Sequence, residues 1–415
     1  MELTTIVLAV AAIAGLYMAW NIGANDVANA MGTSVGSGAL TLRRAIIVAA
    51  IFEFGGAMLV GGTVTKTIRK GIVDVGAFGD DPMVVAIGMT CCLLAAALWL
   101  NIATFAGWPV STTHSIVGAV VGFGLVAGGI DAVNWSVMGK IVASWVVSPL
   151  MGGFLGYSSF VFIKRRILNV DRPLLALRGW GPIMVFPIFA ILTLSVLFKG
   201  LKPLNLDLPL GPAFGIAVAT GLLASFVSVP LLRRFTKIAS EDKEVRIYRA
   251  ERVFLVLQVL TACFVAFAHG SNDVANAVGP MAAVFGATSG ELGAKVAVPH
   301  RILLIGAIGI VAGLATYGYK IMATVGKKIT ELTPSRGFAA EFGAATTIVL
   351  ASKLGLPVST THTLVGAVIG VGFARGIGAI NTRVVSGIVA SWFITVPFTA
   401  ILSAVLYAIG RQWIP

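Results

Sequence analysis

The residues of this chain that carry chemistry come in pairs. Gly23-Ala24-Asn25-Asp26-Val27-Ala28-Asn29-Ala30 returns as Gly270-Ser271-Asn272-Asp273-Val274-Ala275-Asn276-Ala277. Pro109-Val110-Ser111-Thr112-Thr113-His114 returns as Pro357-Val358-Ser359-Thr360-Thr361-His362. The first pair is displaced by 247 residues and the second by 248. Two motifs displaced together mean a duplicated unit. Polar residues repeated inside apolar sequence point to one site built from two halves.

Each motif suits a different ligand. Pro109 and Pro357 stand where a helix begins, with Ser111 and Ser359 as N-caps. First-turn N–H groups have no partner within their helix. With the hydroxyls of Ser111, Thr112 and Thr113, or of Ser359, Thr360 and Thr361, they form an anion cradle at the positive end of the helix dipole. Two facing cradles would hold a tetrahedral oxyanion from both sides. In the other motif, Asn25 and Asn29 share a helix face, as do Asn272 and Asn276. Asp26 and Asp273 lie in apolar sequence, where an ionised side chain costs at least ~2.5–3.5 kcal/mol. Carboxylates repel an anion, and none of the four motifs contains Lys or Arg. A cation between them resolves the conflict, and Asp and Asn oxygens are hard ligands that suit Na⁺.

Three further features surround these motifs. Glu53 and Glu341 are the other acids in apolar runs, and neither has an acidic counterpart in the other repeat; Leu93 stands opposite Glu341. Each is open as a third ion ligand, a proton site or a structural hydrogen-bonding group. His114 and His362 close their motifs and are placed to orient the cradles. Gly118 with Gly122, and Gly366 with Gly370, are spaced for close helix packing.

The elements that position these residues are membrane helices. Of 415 residues, 57% are hydrophobic and 11% charged, against about 25% charged in soluble domains. Mean hydropathy is +0.95. The net charge of +13 reads as Lys and Arg collected in cytoplasmic loops; no aromatic–basic pattern of a nucleic-acid module accompanies it. Cys91, Cys92 and Cys263 lie in apolar runs and make no zinc pattern. Met1-Glu2-Leu3 lacks a basic start, so the first run reads as a retained helix.

Twelve apolar passages are expected, with the first helix broken at its Asn- and Gly-rich motif. The PVSTTH motifs fit either a junction between two full spans or the tip of a re-entrant hairpin. The chain divides into a first half over 1–232, a charged cytoplasmic connector over 233–252 and a second half over 253–415. Placing Arg43-Arg44, Lys164-Arg165-Arg166, Lys327-Lys328 and Arg375 inside leaves the mixed loop at 66–81 and both termini outside. Seven passages separate the two repeat starts, so the repeats are inverted. That is the sequence mark of a secondary transporter with a midplane site.

At these motifs the chain resembles the inorganic phosphate transporter family. The likeness covers essentially the whole chain and includes Phe52-Glu53, Thr67-Ile68-Arg69-Lys70-Gly71-Ile72, and Phe338-Ala339-Ala340-Glu341. The resemblance implies an all-α inverted-repeat symporter of inorganic phosphate, a homodimer in the plasma (inner) membrane, with essential acids at Asp26, Asp273, Glu53 and Glu341. Asn25 and Asn272, ahead of the aspartates, are similar to the sodium-coupled branch rather than the proton-coupled one. Na⁺-coupled phosphate import by alternating access is therefore the leading expectation. The alternatives are proton coupling, another oxyanion such as sulfate, a channel, or an intramembrane hydrolase using His114 or His362.

Overall fold

The two NDVANA copies lie in the middle of uninterrupted helices, α1 (Leu3–Gly36) and a later, 46-residue helix over Lys243–Thr288. The break expected at this motif does not occur. Asn25, Asn29 and Asn276 bond to other segments of the chain and Asn272 to the Asp273 side chain, which leaves the helix ladder intact. Its glycines serve close approach: a Cβ on Gly23 would stand 1.9 Å from the Ile310 carbonyl oxygen, and one on Gly270 would stand 2.1 Å from that of Glu53.

The structure is a computed structural model that describes residues 3–64, 72–73, 75–78, 81–197, 208–236, 242–290, 298–353 and 358–413. Pro357, the stretch 67–71, and Lys66, Asp74 and Asp80 of the mixed loop lie outside the described residues. After α1 come α2 (Leu42–Val64), α3 (Pro82–Ala106), α4 (Thr112–Gly128), α5 (Trp135–Ile163), α6 (Pro173–Ser195) and α7 (Leu210–Phe235). Then follow α8 (Lys243–Thr288), α9 (His300–Thr316), α10 (Tyr319–Ala323), α11 (Pro334–Lys353), α12 (Thr360–Phe373) and α13 (Thr382–Gly410). Eight of these are long and apolar enough to cross a membrane. A ninth candidate span is α9 with its continuation to Lys328, bent by 54° at Tyr317-Gly318. The twelve apolar passages of the sequence map onto these nine together with α4, α11 and α12.

Much of the expected connector is helical. α7 runs to Phe235, and α8 starts at Lys243 on an Asp242 cap whose carboxylate accepts from the Glu244 N–H at 2.9 Å. Residues 237–241, with Lys237 and Glu241, lie outside the described residues.

Hairpins present the PVSTTH motifs. α3 ends on Gly107, whose φ of 72° is the left-handed conformation that turns the chain, and α4 starts five residues later. α12 has only 14 residues, about 21 Å at 1.5 Å per residue, short of a hydrocarbon core of ~30 Å. Behind the tips the repeats interlock. α4 packs on α13, where a Cβ on Gly122 would stand 1.9 Å from the Ala400 carbonyl oxygen. α12 packs on α5, where a Cβ on Gly370 would stand 2.0 Å from the Gly153 oxygen. Both GxxxG pairs thus serve close helix approach, each against the other repeat. Likewise α1 packs on α9 and α8 on α2.

Candidate functional site

Asp26 is the point at which the two repeats meet. Its Oδ2 accepts from the Thr112 hydroxyl at 2.7 Å, and its Oδ1 accepts from the Thr361 hydroxyl at 3.1 Å. One carboxylate in the body of α1 therefore touches the tips of both hairpins. The amides continue the network. Asn29 Nδ2 donates to Thr361 at 2.9 Å and Thr360 at 3.4 Å. Asn276 Nδ2 donates to Thr112 and Thr113, each at 3.2 Å. Asp26 is 1% exposed, so the network sits away from bulk water, where polar interactions are strong and unmet ones costly.

The tips have the geometry expected of capped helix starts. Ser111 Oγ accepts the His114 N–H and Ser359 Oγ accepts the His362 N–H, both at 3.2 Å. Capping occupies the two serines as acceptors and leaves Thr112, Thr113, Thr360 and Thr361 as the hydroxyls facing α1 and α8. Asn25 is tied to its own hairpin. Its Nδ2 donates to Thr104 Oγ1 at 2.9 Å and to the Trp108 carbonyl at 3.1 Å, and its Oδ1 accepts from the Val110 N–H at 3.1 Å. Asn272, half-buried, donates to its neighbour Asp273 at 3.2 Å.

His114 and His362 lie behind the cradles and touch each other edge to face, ring centroids 4.7 Å apart. Trp145 of α5 flanks His114 at 4.9 Å, and Trp392 of α13 stacks on His362 at 3.9 Å. Trp392 also donates its indole N–H to the Pro109 carbonyl at 3.0 Å. This aromatic group holds the two tips against each other from behind.

A third histidine, His269, belongs to the site and escaped the sequence reading. Its Nε2 lies 3.0 Å from Asp273 Oδ2 and 3.7 Å from Asp26 Oδ2, and its Nδ1 lies 3.3 Å from Glu53 Oε1. Three buried carboxylates thus surround one imidazole. Glu53 reaches the group because Gly270 lets the α2 backbone lie directly on α8. Ile310 occupies against Gly23 the place that Glu53 occupies against Gly270, so this acid belongs to one side only. Position 22, the counterpart of His269, is Ile. A search for repeated polar residues passes over it; its place one turn before Asp273 in an apolar run was the available signal.

Asn29 Oδ1 and Glu53 Oε2 are buried here with no hydrogen-bond partner, and Asp273 Oδ2 and Glu53 Oε1 have only their close contacts with the His269 imidazole. Orphaned acceptors beside Asp26 are the donor set a small hard cation takes. Asp26, His269 and Asp273 also bring one ligand atom each within 4.8 Å of one another.

Glu341 lies apart from this group. It accepts hydrogen bonds from Thr33, Thr261, Ser34 at 3.0 Å and Gln258 at 3.5 Å. These partners come from α1 and α8, and their counterparts at the 247-residue displacement are Pro280, Ala14, Met281 and Ala11. The polar pocket around Glu341 therefore has no twin. Between α6, α8 and α11, a cavity of about 70 Å³ leads to Asn29, His269, Ser271, Asn272 and Thr360, walled by Leu192, Phe264 and Ile348.

Comparison with known proteins agrees with this architecture. Residues 22–403 match the model of the phosphate transporter family. The chain is similar to a protein described as a phosphate permease of Pyrococcus abyssi, 47% identical over 399 residues and covering 96% of both chains. It is also similar to the chloroplastic inorganic phosphate transporter 2-1 of Arabidopsis thaliana, 46% identical over 421 residues, 95% of this chain and 70% of that one. Among solved structures it is similar to one titled the sodium-dependent phosphate transporter, with a TM-score of 0.88 and 43% identity over 99% of this chain and 100% of the other.

Proposed function

The chain belongs to the phosphate transporter family, and from that premise we propose that it imports inorganic phosphate by symport with Na⁺ through alternating access. Family and relatives are transporters, which sets the hydrolase alternative aside. The observation that carries the reading is Asp26, hydrogen-bonded at once to Thr112 of one hairpin tip and Thr361 of the other. A carboxylate between two anion cradles is repulsive to phosphate unless a cation lies there too.

In this reading Thr112, Thr113, Thr360 and Thr361, with the first-turn N–H groups of α4 and α12, hold phosphate. Ser111 and Ser359 cap those helices. Asp26, Asn29, Asp273 and Asn276 supply oxygens to Na⁺; Asn25 and Asn272 set the positions of the tip and of Asp273. Sodium bound among the carboxylates lowers the cost of bringing the anion in, and this couples the two fluxes. Glu53 is a further ion-coupling residue through Oε1, which lies 3.3 Å from His269, and the unpartnered Oε2. Glu341, with its ring of hydroxyls, is a separate coupling position. The protein works as a homodimer in the inner (plasma) membrane with both termini outside; the family resemblance supports the first statement and the distribution of Lys and Arg the second.

The test is phosphate uptake into proteoliposomes, driven in turn by an inward Na⁺ gradient and an inward H⁺ gradient. Uptake is expected with Na⁺ alone, and Asp26→Asn or Asp273→Asn is expected to abolish it in protein that remains folded. Normal Na⁺-driven uptake by both variants would sink the reading. A second reading rests on His269 between Asp26, Glu53 and Asp273: an imidazolium there places the positive charge without a metal ion, and a proton replaces sodium as the coupled ion. Uptake driven by H⁺ alone, and lost in His269→Gln, selects it.

A further inference from the structure

α6, α7 and the first turns of α8 enclose a groove that the transport reaction does not use. Its volume is about 1270 Å³. Its walls are apolar, with Phe189 of α6 and Leu223 and Val227 of α7 turned into it. Along α8 it runs from Val245 to Leu260, about 22 Å at 1.5 Å per residue. Half of a ~30 Å hydrocarbon core is about 15 Å, so the groove spans the headgroup level and one leaflet. It closes near Thr220, whose hydroxyl is hydrogen-bonded to Thr193 at 2.7 Å.

The charges stand at one end only. Arg249 and Arg252 line the mouth, and no acidic residue is among the described residues that line the groove. Glu251, next in sequence, is turned away: its carboxylate accepts from the Ser335 N–H at 2.8 Å and from the hydroxyls of Ser335 and Thr333. Arg252 lies over the Tyr248 ring, 5.4 Å from its centroid, which holds the guanidinium at the mouth. A second copy of this chain laid on the groove would cover two guanidinium groups with apolar surface, and an uncompensated buried charge is costly. A ligand with an anionic head and apolar tails meets both demands.

We propose that this groove is a binding site for one anionic phospholipid of the cytoplasmic leaflet, its phosphodiester on Arg249 and Arg252 and its acyl chains along α6, α7 and α8. Basic pockets between helices on the cytoplasmic side bind such headgroups. The lipid packs on the non-motif half of α8, the helix that carries His269, Asp273 and Asn276 further along.

The test uses the full-length protein reconstituted in phosphatidylcholine with a fraction of phosphatidylglycerol, and native mass spectrometry of what survives delipidation. Wild type is expected to retain one phosphatidylglycerol in preference to phosphatidylcholine. The double variant Arg249→Gln/Arg252→Gln is expected to bind it about 30-fold more weakly, from about 1 kcal/mol per basic residue at the surface. Arg165→Gln/Arg166→Gln, in a different basic patch, should retain it. Equal retention of both lipids, or equal retention by the Arg249/Arg252 variant and wild type, overturns the proposal. So does an intermolecular disulfide through Leu223→Cys in native membranes, because the groove would then be a contact between copies. The readout is lipid mass, so it stands whatever ion drives transport.

Discussion

Thr361 gives Asp26 Oδ1 a hydroxyl hydrogen at 3.1 Å, and valine has nearly the same shape without it. Thr361→Val leaves that oxygen with only the Asn29 amide at 3.2 Å. A hydrogen bond to a charged group contributes about 1.5–3 kcal/mol. The same hydroxyl holds phosphate in the proposed site, so the half-saturating phosphate concentration for uptake should rise about tenfold or more, and Thr361→Ser should restore it. An unchanged half-saturating phosphate concentration in the valine variant would remove Thr361 from the cradle. At this scale the sequence was legible wherever chemistry was duplicated. Asp26, Asn29, Asn276 and the Thr residues of both tips stood out because each occurs twice, and the structure brings them into one network. His269 and the Glu341 pocket were not legible in that way, because their counterparts are Ile22, Leu93, Ala11, Ala14, Pro280 and Met281. A residue that acts once leaves no echo in a repeat. Asn25 was visible as a polar residue but not as a hairpin clamp, because Thr104 and Val110 lie 79 and 85 residues away.

Between elements, glycine sets how close two helices come. The three atoms nearest a Cβ on Gly370 would all be backbone atoms of Gly153, the closest at 2.0 Å. Nothing there can rotate away, so Gly370→Ala must push α12 off α5 and carry the Thr360–Thr361 tip with it. Overpacking of this kind costs about 1–3 kcal/mol. The expected result is a lower melting temperature in detergent together with reduced uptake. Gly139→Ala, on α5 with nothing within 4 Å of the new methyl, should be neutral or slightly stabilising, since alanine favours a helix by up to about 1 kcal/mol over glycine. Equal effects from the two substitutions would refute the packing account. The sequence showed the GxxxG spacing and its purpose but not the crossing over of partners, α4 to α13 and α12 to α5. It also misled at α1: Asn and Gly in apolar sequence suggested a break, whereas the sharply bent span among the described residues is at Tyr317-Gly318. Helices tolerate such residues when tertiary contacts take their side chains, and those contacts cannot be read from the helix itself.

For the whole molecule, Lys and Arg distribution gives an orientation that labelling can check. In a background without reactive cysteines, Asp131→Cys in the turn after α4 should react with a membrane-impermeant maleimide on intact cells. Asp242→Cys, at the start of α8, should react only after permeabilisation. Both residues are exposed, so the reverse pattern would invert the topology. The duplication itself was plain from two motifs and one displacement, and so was the broad membrane architecture. The pocket around Glu341 was hidden from that reading, and its one-sidedness bears on kinetics. Were the two repeats identical, exchanging their conformations would turn the protein inside out at no energetic difference, and the carrier would run equally well in either direction. Glu341 with Thr33, Ser34, Gln258 and Thr261 breaks that equivalence, since apolar side chains stand at the matching positions of the other half. In the alternating-access carrier proposed above, the half-saturating phosphate concentrations should therefore differ between the two faces, while the gradients alone still fix the final distribution of phosphate. Removing the pocket's polarity should shrink that difference, and the one-sided His269 and Glu53 should account for what is left.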